Sequence, residues 1–69
     1  MATNETKAVI SDLAKVMNKT TLGRSTIYAY VKEGKFPAPI KLGDRSIGWI
    51  DAEIDAWIDE RIKASRTAA

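Results

Sequence analysis

A chain of 69 residues with no cysteine and no histidine has to hold its fold by packing alone. Neither a disulfide nor a Cys/His zinc site can staple it, and these are the usual supports of very short domains. At this size folding buries only roughly 60% of the surface that the unfolded chain exposes, so the core must come from a few large apolar residues. The same absences remove the thiolate nucleophile and the Ser-His-Asp and Cys-His arrangements. No run approaches the roughly 18 apolar residues of a membrane span. Met1–Thr6, with Asn4 and Glu5, lacks the basic start and apolar stretch of a signal peptide. The expectation is one small cytoplasmic domain with no metal and no cofactor.

Two prolines divide the chain. Pro37 and Pro39 force Phe36–Pro39 into extended backbone, and the segments before them have helical periodicity. Leu13, Val16 and Met17 stand at i, i+3 and i+4, a buried stripe on a helix of about two turns. Ser11 is its expected N-cap, with Asp12 at the positive end of the dipole. After a turn over Thr20–Gly23, a second helix runs from Arg24, with Gly23 as N-cap, to a left-handed stop at Gly34. Ile27 and Val31 face inward with Leu22, Tyr30 and Phe36. The opposite side shows Arg24, Ser25, Thr26, Tyr28 and Lys32.

Beyond the prolines, Ile40-Lys41-Leu42 and Ile47-Gly48-Trp49 flank Gly43-Asp44-Arg45-Ser46, the pattern of a hairpin with a four-residue loop. Such a ribbon is marginal alone and must pack on the helices. Asp51 is expected to cap a third helix, with Ile54, Trp57, Ile58 and Ile62 on one stripe. Trp49 and Trp57 are expected as the largest core groups. Ala8–Ile10 reads as either a very short strand or a lead into the first helix. The expected division is a loose arm at 1–7, a single domain at 8–63 and a frayed tail at 64–69.

The net charge of +2 says less than where the charges lie. Between Lys15 and Arg45 there are seven positive residues against two negative, whereas Ser46–Ala69 has three against five. A basic middle suits a polyanion, and the last segment is an acidic support. The acids Asp51, Asp55 and Asp59 recur every four residues on an exposed helix face. That is a solvated surface or a weak cation site rather than an acid/base pair, so no enzyme is expected. The acidic helix does leave open a protein-interaction or antitoxin-like module that docks a basic partner.

The order helix, tight turn, helix, hairpin, helix gives a fold that is mainly α with a small β-hairpin. Two helices joined by a short turn make a helix-turn-helix, whose second helix fits the major groove, and the hairpin beside it can act as a wing. The runs Gly23–Tyr28, Lys32–Gly43, Arg45–Trp49 and Glu53–Ile58, in this order, resemble the AlpA family of phage and prophage regulators over about Val9–Lys63. The family's relatives include excisionases and, more distantly, the DNA-binding domain of the MerR regulators.

The resemblance implies a winged helix-turn-helix that binds double-stranded DNA. It would control transcription of integrase or mobile-element genes, or bend attachment-site DNA as an excisionase. Implied partners are DNA, further copies on repeated sites, and an integrase or RNA polymerase, with no small-molecule effector. Arg24, Ser25 and Thr26 would face the groove, Arg24 being able to pair bidentately with guanine. Tyr28 and Lys32 would meet phosphate or sugar. Lys41, Arg45 and Ser46 would be the wing contacts, with Lys19 and Lys35 as steering charges.

Each of these residues also has a plainer role open to it. Tyr28 can cover the core edge, Ser25 and Thr26 can serve the first helical turn, and the lysines can be solvated surface. The chain departs from the family's usual pattern in three places. Where the family has Thr-Gly-Leu-Ser, this chain has Thr20-Thr21-Leu22-Gly23; Lys19 replaces an apolar residue; and Gly48 stands where relatives often carry a basic one.

Overall fold

The computed structural model describes residues 8–67 and leaves the arm expected at 1–7 outside the described residues. Strand β1 (Ile10–Ser11) leads into helix α1 (Leu13–Thr20), followed by α2 (Arg24–Lys32), β2 (Ile40–Lys41), β3 (Ile47–Ile50) and α3 (Asp51–Thr67). The fold is mainly helical with a small antiparallel sheet. That sheet has three strands in the order β1-β3-β2 rather than the two of a hairpin. Ile10 pairs with Ile50 and Ser11 with Trp49 on one side of β3, and Ile40 pairs with Gly48 and Lys41 with Ile47 on the other.

The extra strand moves the first helix cap. Ser11 is in the sheet, and its hydroxyl is used elsewhere, so Asp12 caps α1 by accepting the Lys15 N–H at 2.9 Å. The cap expected at Ser11 is corrected by one residue. At the other end α1 closes on Thr21, which takes a left-handed backbone with φ 61° and donates its N–H to the Met17 carbonyl at 2.7 Å. Thr20 reinforces the turn, its hydroxyl donating to the Val16 carbonyl and accepting the Leu22 N–H. This left-handed position is where the family pattern has glycine. A β-branched residue is strained there by roughly 1–2 kcal/mol, more than the extra unfolded-state entropy of a glycine. Thr21→Gly is therefore expected to stabilise the domain by about 0.5–1 kcal/mol in urea unfolding.

Helix α2 begins at Gly23, which has an extended N-cap backbone, and its end is followed by Gly34 at φ 76°. The core is Val16, Ile27, Phe36, Trp49 and Ile54, with Leu13, Met17, Leu22, Tyr30, Val31, Trp57 and Ile58 packed half-buried against it. The tryptophans also order the proline segment. Trp49 Nε1 donates to the Pro37 carbonyl at 2.8 Å and Trp57 Nε1 to the Lys35 carbonyl at 2.7 Å, which pins Phe36 edge-on to Trp57.

One expectation for α3 is corrected. Ile62 is 45% exposed rather than part of the core, because it lines an open groove beside the α1–α2 turn instead of packing on the buried cluster. Helix α3 extends to Thr67, and residues 68–69 of the expected tail lie outside the described residues. Asp51 is the first helical residue, and its carboxylate is engaged by Ser11 and Lys19.

Gly48 has a structural reason. It occupies the middle strand, where an added Cβ would stand 2.5 Å from Ile10 Cγ2, 3.1 Å from Leu42 Cδ1 and 3.3 Å from the Ser11 carbonyl. Alternation along the strands groups Gly48 with Ile10, Ile40, Leu42 and Ile50 on the outer face, so β1 closes over the glycine. Gly48→Ala is expected to push β1 away and to cost about 1–3 kcal/mol of stability, read as a lower urea midpoint.

Candidate nucleic-acid interface

Helix α2 presents its charged side through simple periodicity. At about 100° per residue, Arg24, Ser25, Tyr28 and Lys32 fall on one arc, and all four are exposed, whereas Ile27 and Val31 point into the core. Thr26 does not join them. It lies beyond the edge of that arc and is half-buried, so the structure separates it from Ser25.

The N-terminus of α2 is open. Gly23 has no side chain to accept from the first turn, so no side-chain cap engages the orphan N–H groups beside Arg24 and Ser25. Those groups and the positive end of the helix dipole form the usual setting for a phosphate oxygen.

The sheet joins this arc through Tyr28, whose ring centroid lies 6.4 Å from that of Trp49. Tyr28 is 40% exposed, so it packs on Trp49 with one flank and presents the other to solvent. Both roles read from the sequence are compatible with this placement. Lys41 pairs with Ile47 on the sheet face that also carries Trp49, which puts it on the same side as Tyr28. Arg45 and Ser46 are exposed in the β2–β3 loop, which closes when the Ser46 carbonyl accepts the Leu42 N–H at 2.7 Å.

Ion pairing sorts the lysines. Among the described residues the pairs are Lys19 with Asp51 and Asp55, Lys35 with Glu33, and Lys63 with Asp59. Arg24, Lys32, Lys41 and Arg45 belong to none of them, and all four are exposed. The two steering charges are placed differently. Lys19 is tied to α3, and Lys35 sits beside α3 with its carbonyl on Trp57. The Lys19 pairing was not legible from sequence, because its partner is 32 residues away. The sole hint was a lysine where an apolar residue is usual.

Lys19 Nζ and Ser11 Oγ both donate to Asp51 Oδ1, at 2.8 and 2.6 Å. Lys19 first, and the Ser11 hydroxyl second, hold the Asp51 carboxyl below its ordinary 3.8, and the two aspartates hold Lys19 above 10.5. The Asp51 contribution to stability is present above its unfolded pKa and lost as pH falls through the lower folded value. The Lys19 contribution is present below 10.5 and lost as pH rises through its higher folded value. The stability gap between the wild type and Asp51→Asn is expected to be level from about pH 5 to 9 and to shrink below about pH 4, measured by urea unfolding across pH.

The model of the family described as prophage CP4-57 regulatory protein (AlpA) matches residues 11–62 of this sequence. The chain belongs to the AlpA family. It is 38% identical over 66 residues to the DNA-binding transcriptional activator AlpA of Escherichia coli K12, covering 87% of this chain and 94% of that protein. It is 40% identical over 48 residues to the uncharacterised protein ORF88 of Enterobacteria phage P4, covering 70% of this chain. The match spans about half (54%) of that phage relative's length. No solved structure matches. The AlpA family match takes in α1, α2, β2, β3 and most of α3, and so contains the whole exposed basic arc. Among the described residues, no helix is long and apolar enough to cross a membrane.

Proposed function

We propose that this chain is a DNA-binding regulator of phage or prophage genes, built as a winged helix-turn-helix. Helix α2 enters the major groove and the β2–β3 hairpin lies on the backbone or minor groove as the wing. The observation that carries this reading is that four of the exposed cations without an ion-pair partner among the described residues lie on α2 and on the β2–β3 hairpin. Arg24 and Lys32 lie on the outer face of α2, Lys41 lies on the sheet face that Tyr28 meets, and Arg45 is at the loop. Phosphate contacts from such residues position a module, and a guanidinium at the start of a groove helix reads guanine bidentately. The chain's similarity to a DNA-binding transcriptional activator of Escherichia coli supports the same reading.

The alternative in which acidic α3 docks a basic partner is less well supported. Asp51 and Asp55, in the first half of α3, are engaged within the chain by Lys19. An excisionase would use the same helix and wing, so the DNA fragment that is bound separates the two roles.

The test is a fluorescence binding isotherm at several salt concentrations. The duplexes come from upstream of this gene, from the nearest integrase gene and from the attachment site, beside a scrambled duplex. Selective binding to one fragment, weakening linearly in log salt, is expected. A promoter fragment would indicate transcriptional control, and the attachment site excision. Equal weak binding to every duplex would sink the proposal.

A further inference from the structure

The end of α3 has the composition of an interface. Ile54 is buried and Ile58 half-buried, but Ile62, next on the same stripe, is 45% exposed. Beside it an open groove of about 580 Å³ runs between α3 and the α1–α2 turn, lined by Leu22, Tyr30, Trp57, Ile58, Arg61 and Ile62. The Arg61 guanidinium stands 4.8 Å from the Trp57 ring centre and 5.7 Å from that of Tyr30, closing one wall with a cation over two aromatic faces.

Charge along the helix indicates the occupant. From Asp51 to Glu60 α3 carries five acidic residues and no base, and from Arg61 to Arg66 it carries three bases and no acid. Two such helices side by side and parallel would set like charge on like. Antiparallel through their last turns, Asp59 and Glu60 of each helix meet the basic stretch Arg61–Arg66 of the other. An isologous pair of this kind is self-complementary, as a two-fold axis requires.

The geometry points to a second copy of this chain as the occupant of the groove. The two α3 helices pack antiparallel through their last turns, with Ile62 of each near the two-fold axis and Asp59 of one copy opposite Arg66 of the other. The arrangement leaves the basic arc free, since Tyr30 lies on the far side of α2 from Tyr28. It goes beyond the DNA reading and stands or falls without it. It buries an exposed isoleucine and half-buried aromatics at the centre, with the ion pairs at the rim.

Sedimentation equilibrium of the full chain without DNA tests it, over the micromolar to millimolar range. The weight-average mass is expected to rise from 7.6 kDa toward twice that value. Ile62→Asp is expected to hold it at the monomer value, with the urea midpoint unchanged at dilutions where the wild type is also monomeric, because Ile62 is outside the core. Asp59→Lys and Arg66→Asp are each expected to weaken association at least tenfold, and the two together to restore it. A wild-type mass that stays monomeric throughout overturns the proposal. So does a dimer that Ile62→Asp leaves intact, or one in which the double charge exchange restores nothing.

Discussion

Trp49→Ala is expected to remove most of the stability of this domain. Trp49 is fully buried at the centre of β3, between the strands on either side and the helices. Truncating a buried Trp costs about 3–5 kcal/mol. At roughly 0.05–0.15 kcal/mol per residue, a chain of this length has about 3–10 kcal/mol in total. With no disulfide or metal to hold the remainder, the variant is expected to be largely unfolded at 37 °C. The measurements are far-UV circular dichroism and the urea midpoint.

Trp49→Phe separates the two contributions of the indole. It keeps most of the apolar volume but removes the Nε1 donor that reaches the Pro37 carbonyl at 2.8 Å. Its expected cost is about 1–3 kcal/mol, the penalty of leaving a part-buried carbonyl unpaired. Trp49→Phe should therefore fold at 25 °C. If Trp49→Ala lost no more than Trp49→Phe, the packing account of the core would fail.

Local signals in the sequence were reliable where neighbouring residues decide the outcome. Gly23 and Gly34 bracket α2, and Gly43–Ser46 lies between β2 and β3, because caps and tight turns depend on a few adjacent dihedrals. What the sequence missed depends on residues far apart in the chain. Ser11 and Asp12 are equally good caps, and the choice falls to Asp12 only because β3 recruits residue 11 and Asp51 takes its hydroxyl. Ile62 continues a correct period, but periodicity does not report how much of the stripe the rest of the globule covers. Gly48 departs from the basic residue usual in relatives, and its reason, the closing of β1 over it, is likewise a contact between distant segments.

The basic arc was legible for a related reason. Helical spacing alone puts Arg24, Ser25, Tyr28 and Lys32 together, whereas the division of the lysines into paired and unpaired needed the position of α3. Thr26 shows the limit of reading three consecutive residues as one group. Successive residues on a helix diverge by about 100°, so a run of three cannot share one face.

Arg24 and Arg45 are expected to fail in different ways, and the difference tests how the proposed interface is divided. Arg24 stands at the open N-terminus of α2 and is the base-reading residue of the proposed interface. Arg24→Ala should cost about 1–3 kcal/mol on the preferred duplex, roughly 5- to 150-fold in affinity, and little on a scrambled one. Arg45 belongs to the exposed loop and is the phosphate contact of the proposed interface. Its replacement by alanine should weaken binding to both duplexes alike and lower the slope of log affinity against log salt by about 0.9. The sites are on separate elements, so the double variant should lose close to the sum of the two free energies. If the two variants had the same profile, both uniform or both selective, the assignment of base reading to α2 and backbone contact to the wing would be wrong, even with DNA binding itself intact.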